Sequence, residues 1–197
     1  MDIFSKIKSI LFNPEKFFVG LSKEKTIQDS LIYYIVLLAF NVVMSYIMFL
    51  IFGDVITKMV VNMFNFGQEM PSFSSLQVFG RMIMGYVLGI LVGFVIAAIL
   101  FVWILIFGGN KGYVKAYQLF VYSETPSMLF KWIPFLGFVT WIYDLVLLII
   151  GTKKIYNFSA TKSVLMYLIP LALIFIIAFF VIAASVLFLK NMNFGLL

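Results

Sequence analysis

Long apolar runs, separated by short polar or basic segments, make up most of the chain. A helix needs about 20 mostly apolar residues to cross a hydrocarbon core of roughly 30 Å. Four runs meet this requirement, and a further run between them carries Glu124, Pro126 and several hydroxyl groups. Because these polar groups make the run only marginally apolar enough to insert alone, we expect it to enter the membrane with neighbouring helices covering it. The pattern predicts an all-α polytopic membrane protein with five transmembrane helices, at about residues 31–52, 82–107, 113–131, 132–150 and 164–189.

A competing interpretation concerns the third and fourth of these spans. Residues 113–150 could instead form a re-entrant hairpin, which would lower the number of full spans. Irregular backbone at membrane depth is tolerated only where protein covers it. Both interpretations therefore need residues 113–131 to be enclosed by other helices.

The first 30 residues form a predicted amphipathic segment rather than a cleavable signal. Ile3, Ile7 and Ile10 repeat at helical spacing, and we interpret Lys6 and Lys8 as lying off that stripe. The Asn13-Pro14 pair is typical of a helix cap followed by a first helical residue. The pattern favours one or two helices on the membrane surface, the alternative being a soluble helix packed on loops.

The distribution of basic residues predicts the orientation. Of the fourteen Lys and Arg residues, ten lie in the N-terminal segment and in the loops after the second and fourth spans. The positive-inside rule then places the N-terminus in the cytoplasm and the C-terminus outside. In a prokaryote the membrane would be the plasma membrane.

Composition excludes several function classes. The chain is 64% hydrophobic and 11% charged, against roughly 45–50% and about 25% in soluble domains. An ordinary soluble globule and a nucleic-acid-binding domain are excluded on these grounds. Without Cys or His, the chain has no thiol chemistry, disulfides or Cys/His metal ligands. We expect no catalytic residues, no cofactor and no metal site.

The second predicted span carries a stripe of small residues. Gly85, Gly89, Gly93 and Ala97 recur at every fourth position, so they share one helix face. Such a stripe lets another helix approach closely. The sequence leaves open whether that helix belongs to the same chain or to a second copy.

Two acids, Glu124 and Asp144, lie inside predicted spans. A carboxylate at a span centre costs about 2.5–3.5 kcal/mol on insertion scales. If the chain turns at residues 133–135, two antiparallel helices bring both acids to a similar depth. They could serve as helix–helix hydrogen-bonding groups or as a proton, ion or lipid-headgroup site, and both interpretations stay open. The polar candidates are Tyr122, Ser123, Glu124, Pro126 and Asp144.

Other short motifs do not support enzymatic chemistry. Tyr143-Asp144 lacks the second Gly-x-Gly-Asp span that intramembrane aspartyl proteases require, and the absence of His excludes a rhomboid-type protease. The glycine-rich segment 108–112 lacks the Lys-Ser/Thr ending of a phosphate-binding loop and is better interpreted as a turn.

A series of motifs in residues 108–170 resembles the Yip family, the Ypt/Rab-interacting membrane proteins, and in particular its small prokaryotic branch. The order and spacing of the motifs carry the resemblance more than any single one. They are the Gly-Gly-x-x-Gly turn at Gly108, Tyr122-Ser123-x-x-Pro126, Ile133-Pro134-Phe135-x-Gly137, the span ending at Gly151, and Pro170 early in the last span, with Asn13-Pro14-x-x-Phe17-Phe18 near the N-terminus.

The resemblance implies a five-span protein without catalytic activity. Eukaryotic relatives bind Rab-type GTPases and one another, and help to shape or sort membranes of the early secretory pathway. The chain departs from these relatives, because no Asp-Leu-Tyr-Gly-Pro element precedes the first span. A small GTPase is an expected partner only if the source is a eukaryote. The predicted function is therefore a membrane-organising or partner-binding role, with membrane lipids, a second copy or a membrane protein as partner. The alternative is a small channel, transporter or lipid-translocating protein that uses the two acids.

Overall fold

The computed structural model describes residues 2–21, 24–64 and 74–194, and within these ranges it contains only helices as regular elements. This confirms the all-α prediction for that part of the chain. The helices, in chain order, are α1 (Ile3–Phe12), α2 (Pro14–Leu21), α3 (Gln28–Phe64), α4 (Ser75–Ile106), α5 (Tyr113–Ser123), α6 (Thr125–Phe130), α7 (Leu136–Tyr156) and α8 (Ala160–Phe194).

Four of the described helices are long and apolar enough to cross a membrane. They correspond to the first, second, fourth and fifth predicted spans, so the chain is an integral, multi-pass membrane protein. The spanning stretches are Gln28–Ile56, Ser75–Ile106, Leu136–Tyr156 and Ala160–Ser185.

The predicted five spans are one more than the four such helices that the described residues show. Residues 113–131, predicted as the third span, form the 11-residue α5 and the six-residue α6, which are separated at Glu124. Pro126 lies in the first turn of α6 and has no backbone N–H, so it cannot donate to the carbonyl one turn earlier. The helix is interrupted there, and neither part is long enough to cross a bilayer.

The chain divides into two compact units between Asn157 and Phe158. In the first unit α5 occupies the centre, because it packs against α3, α4 and α7. Every residue from Lys115 to Ser123 is buried. The expectation that neighbouring helices cover this polar segment is therefore met.

The two N-terminal helices pack on the same unit. The Asp2 carboxylate caps α1 by accepting the Ser5 backbone N–H at 2.6 Å, and this hydrogen bond lowers the pKa of Asp2. Helix α2 begins at Pro14, as predicted, and packs against α7. Its Phe18 is buried, whereas Phe4 of α1 is 77% exposed. A location at the membrane surface for these amphipathic helices stays a prediction.

The second unit contains α8, and Ser159 caps the N-terminus of this helix. The Ser159 hydroxyl accepts the Lys162 backbone N–H at 3.2 Å, and its carbonyl accepts that of Ser163 at 3.0 Å. The Lys162 ammonium lies 4.1 Å from the centre of the Phe158 ring. Pro170 falls inside this helix, in the apolar stretch predicted as the last span.

Candidate functional site

The interruption between α5 and α6 organises the polar groups at the centre of the first unit. The Tyr122 carbonyl, which Pro126 leaves without its helical donor, accepts the Thr125 hydroxyl at 2.8 Å. The same hydroxyl lies 2.9 Å from the Tyr33 hydroxyl of α3. Because Thr125 and Tyr33 are buried, these bonds replace water for groups that would otherwise be unpaired. The Tyr122 carbonyl and the Thr125 and Tyr33 hydroxyls at the break between α5 and α6 therefore have hydrogen-bond partners.

Asp144 of α7 stabilises the start of α6. One of its carboxylate oxygens accepts the Ser127 backbone N–H at 3.2 Å, in place of a carbonyl of α5. The Ser127 hydroxyl lies 3.3 Å from that of Thr140, which donates to the Gly137 carbonyl at 3.0 Å. A helix N-terminus attracts negative charge. This arrangement gives Asp144 a structural role at the α6–α7 contact.

Asn41 of α3 completes the contacts of this region. Its side-chain amide donates to the Ser127 carbonyl at 3.3 Å and to the Met128 carbonyl at 3.0 Å. Both acceptors belong to α6, so α3 and α7 hold this short helix from two sides. The position of α6 is therefore fixed by hydrogen bonds as well as by apolar packing.

A cavity of about 180 Å³ lies beside the break, between α4, α5 and α7. Its polar lining consists of Ser123, Glu124 and Asp144, and its aromatic lining of Phe120 and Trp141. Aliphatic side chains of α4 and α7 form the rest of the wall. Glu124 and Asp144, which the sequence predicts to lie at a similar depth, thus line one common cavity.

Two polar groups of this cavity have no partner within the described part of the chain. Ser123 is 3% exposed, and its hydroxyl forms no hydrogen bond. The half-buried Glu124 carboxyl forms neither a hydrogen bond nor an ion pair there. Buried polar groups usually have a partner. The cavity therefore has unused hydrogen-bonding capacity.

Tyr122, another predicted candidate, belongs to a different polar contact. The Lys6 ammonium of α1 lies 3.3 Å from the Tyr122 hydroxyl and 3.9 Å from the Asp29 carboxylate. Lys6 is only 6% exposed, so the interpretation that it lies off the buried stripe of α1 was wrong. The signal was its spacing, since Lys6 lies one turn from both Ile3 and Ile10.

Lys115 is a second buried cation that sequence reasoning missed. Its ammonium donates to the Leu21 carbonyl at 2.6 Å, to the Glu24 carbonyl and to the Gln118 side chain at 2.9 Å. Gln118 in turn donates to the Thr26 carbonyl at 2.8 Å. All three donors of the ammonium are used, and they fix the connection between α2 and α3 to the central helix. Its burial could have been inferred from the sequence, because Lys115 lies inside an otherwise largely apolar run.

The small-residue stripe packs partly within the chain. A Cβ atom on Gly93 would lie 2.9 Å from the Tyr34 ring of α3, and one on Gly89 would lie 3.1 Å from Leu38. The Tyr34 hydroxyl donates to the Gly89 carbonyl at 3.0 Å. Ala97 is fully buried, whereas Gly85 is exposed and a Cβ there would meet nothing within 4 Å. The described structure therefore brings Gly89 and Gly93 to α3 but not Gly85.

The chemistry of these sites is limited by their side chains. In the described ranges, no group of three or more His, Cys, Asp or Glu side chains could hold a metal ion. The central cavity offers two carboxyl groups and one hydroxyl beside aromatic rings. This set of groups can accept and donate hydrogen bonds and can interact with positive charge.

Comparison with known proteins gives one match. The model of the Yip1 domain family matches residues 8–182. That range begins within α1 and extends into α8, so it includes every spanning helix at least in part. No curated protein and no solved structure matches the chain.

Proposed function

The chain belongs to the Yip1 domain family, and on this premise we propose that it is a non-catalytic, trafficking-type membrane protein that organises the bilayer or binds a partner within it. The family match across residues 8–182 is the observation that carries the proposal, because it covers the N-terminal helices together with the spanning helices. Membrane lipids are the first partner, and a second copy or another membrane protein is the next.

The attachment of α1 and α2 to the bundle supports a membrane-organising role. The Tyr143 hydroxyl of α7 donates to the Leu11 carbonyl at the end of α1. The Glu15 carboxylate of α2 forms an ion pair with Lys154 of α7 at 2.8 Å. Together with the buried Lys6, these contacts hold two amphipathic helices at a fixed position on a membrane-embedded body.

The outer face of α1 is strongly apolar. Phe4 is 77% exposed and Phe12 is 73% exposed. An apolar groove of about 650 Å³ lies between α1, α3 and α6, with Lys8 on its lining. Such a face can enter the interfacial region of one leaflet, and its exposed Lys8 attracts anionic headgroups. In the proposed orientation this leaflet is the cytoplasmic one.

Reconstitution into anionic liposomes tests the proposal. We expect the protein to change vesicle size and curvature, as measured by electron cryomicroscopy. The double variant Phe4→Ser/Phe12→Ser should lose most of this effect, because it removes the exposed rings without changing a buried residue. Leu76→Ser, at an 80% exposed apolar position on α4, is the matched control and should retain it.

The same liposomes distinguish this function from a channel, transporter or lipid-translocating protein. Proton, cation and labelled-lipid fluxes are measured in parallel with vesicle shape. Unchanged vesicles, together with a flux that Glu124→Gln abolishes, would contradict the proposal. Changed vesicles without such a flux would support it.

A further inference from the structure

The proposed membrane-organising function does not use the cavity between α4, α5 and α7. Glu124, Asp144 and Ser123 line it. Ser123 is 3% exposed, and its hydroxyl has no hydrogen-bond partner in the described chain. A hydroxyl in this position could have donated to a carbonyl of its own helix, as Ser185 does in α8 at 2.8 Å. Ser123 makes no such bond, so its hydrogen-bonding capacity remains available to a ligand.

The charge of the cavity favours a cationic ligand. No Lys or Arg of the described chain forms an ion pair with Glu124 or Asp144. The Asp144 carboxylate accepts the Ser127 backbone N–H, whereas the Glu124 carboxyl accepts no hydrogen bond from the described chain. Acids inside a membrane protein are costly unless they are paired or hydrated. A positive group within the cavity would supply the missing partner.

The wall of the cavity favours an organic cation over a bare metal ion. Calcium takes about six to eight oxygen ligands, whereas this lining provides two carboxyl groups and one hydroxyl among apolar side chains. Phe120 and Trp141 present aromatic rings, which attract ammonium groups through their π faces. The volume of about 180 Å³ also exceeds the roughly 30 Å³ share of one water molecule several times.

Two residues that line the cavity are also exposed on the outer surface of spanning helices. Ile96 of α4 is 42% exposed and Trp141 of α7 is 41% exposed, and both line it. Both helices are long and apolar enough to cross the bilayer. A ligand arriving from this side must itself be soluble in the membrane.

We propose that this cavity binds the ammonium group of a membrane-soluble organic cation. The Glu124 carboxylate accepts one N–H bond, the Asp144 carboxylate accepts a second, and the Ser123 hydroxyl accepts the third. Phe120 and Trp141 contact the carbon atoms next to the nitrogen, and the alkyl chain leaves past Ile96. The site is independent of the proposed effect of α1 on membrane shape.

Calorimetric titration of the purified, full-length protein in a non-ionic detergent tests this site. The probe is decylammonium at neutral pH, and decanol is the uncharged probe of equal chain length. We expect saturable decylammonium binding that weakens about tenfold or more in Glu124→Gln, since a buried charge loses its partner. Asp54→Asn, which changes an exposed acid on α3, is the matched control and should bind as the unmodified protein does.

A second variant tests the cavity without changing either acid. Leu148→Phe narrows the cavity and leaves both acids in place, so it should also weaken decylammonium binding. Equal binding of decanol and decylammonium would overturn the proposal, as would unchanged binding in both variants. Displacement of the probe by an equal concentration of sodium would also overturn it, because the site would then select an inorganic ion.

Nanodiscs distinguish two sources of the ammonium group. Decylammonium binding is compared in phosphatidylethanolamine and in phosphatidylcholine bilayers of equal chain length, which have the same net charge but differ in whether the headgroup has N–H donors. Weaker apparent binding in phosphatidylethanolamine would support the site and identify an aminolipid headgroup as the competing ligand. Equal, Glu124-dependent binding in both would support the site for a free lipophilic amine.

Discussion

Gly93→Ala tests whether the small-residue stripe of α4 packs against α3 of the same chain. The added methyl group would lie 2.9 Å from both Cε1 and the hydroxyl oxygen of Tyr34. Tyr34 is 5% exposed and packs beside the ring of Phe120 at 6.0 Å between ring centres. It cannot move away without disturbing that contact and its hydrogen bond to the Gly89 carbonyl.

The expected magnitude combines three contributions. Replacing a helical glycine by alanine stabilises the fold by about 1 kcal/mol through helix propensity. Overpacking a buried site costs about 1–3 kcal/mol, and losing the Tyr34 hydrogen bond costs about 0.5–1.5 kcal/mol. Gly93→Ala should therefore lower the free energy of unfolding by about 0.5–3.5 kcal/mol. Gly85→Ala, which adds a methyl group to open space, should be neutral or stabilising by up to about 1 kcal/mol.

Thermal unfolding of both variants in the same detergent measures the difference. A change of 1 kcal/mol corresponds to roughly 2–4 °C for a chain of this size. We expect Gly93→Ala to melt several degrees below Gly85→Ala. Equal melting temperatures would refute the close approach of α4 to Tyr34. If Gly85→Ala alone were destabilised, the stripe would instead contact a second copy of the chain.

Two further predictions concern single polar contacts. Thr125→Val leaves the Tyr33 hydroxyl and the Tyr122 carbonyl without a partner, so it should lower the free energy of unfolding by about 1–3 kcal/mol. Thr125→Ser keeps the hydroxyl and should retain most of the stability. Equal melting temperatures of the two variants would contradict the role of this hydroxyl. The hydrogen bond and charge of Lys154 lower the pKa of Glu15 from 4.5, so this ion pair stabilises the fold above that pH and is lost as the pH falls below it. Glu15→Gln should accordingly melt below the unmodified protein near neutral pH and with it in acid, and a difference that persisted in acid would be inconsistent with the pair.

The spans were predictable because length and apolar content alone decide whether a helix can cross a bilayer. The start of α2 at Pro14 was predictable because proline suits a first helical position. The prediction of five spans exceeds the four that the described residues show, because residues 113–131 are apolar enough to suggest one helix, while Pro126 and the Asp144–Ser127 bond interrupt it. The Asp144 contact comes from another helix, so no local sequence pattern reveals it.

The candidate site was predictable only in part. The turn before α7 indicated that Glu124 and Asp144 lie at a similar depth, and both line the same cavity. The third wall, from α4, depends on how separate helices pack and was not predictable. The spacing of Lys6 on α1 indicated its burial, but its partner Tyr122, which lies 116 residues further along the chain, was not predictable.

The most direct test of the shared cavity uses the absence of cysteine from the chain. Glu124→Cys and Asp144→Cys are combined in one protein, and a short bifunctional thiol reagent is applied in the membrane. Because both side chains line the same cavity, we expect efficient crosslinking within one chain. The control pairs Glu124→Cys with Val146→Cys, an α7 position that is 40% exposed and outside the cavity lining, and should crosslink poorly. Equal or greater crosslinking of the control pair would contradict the account.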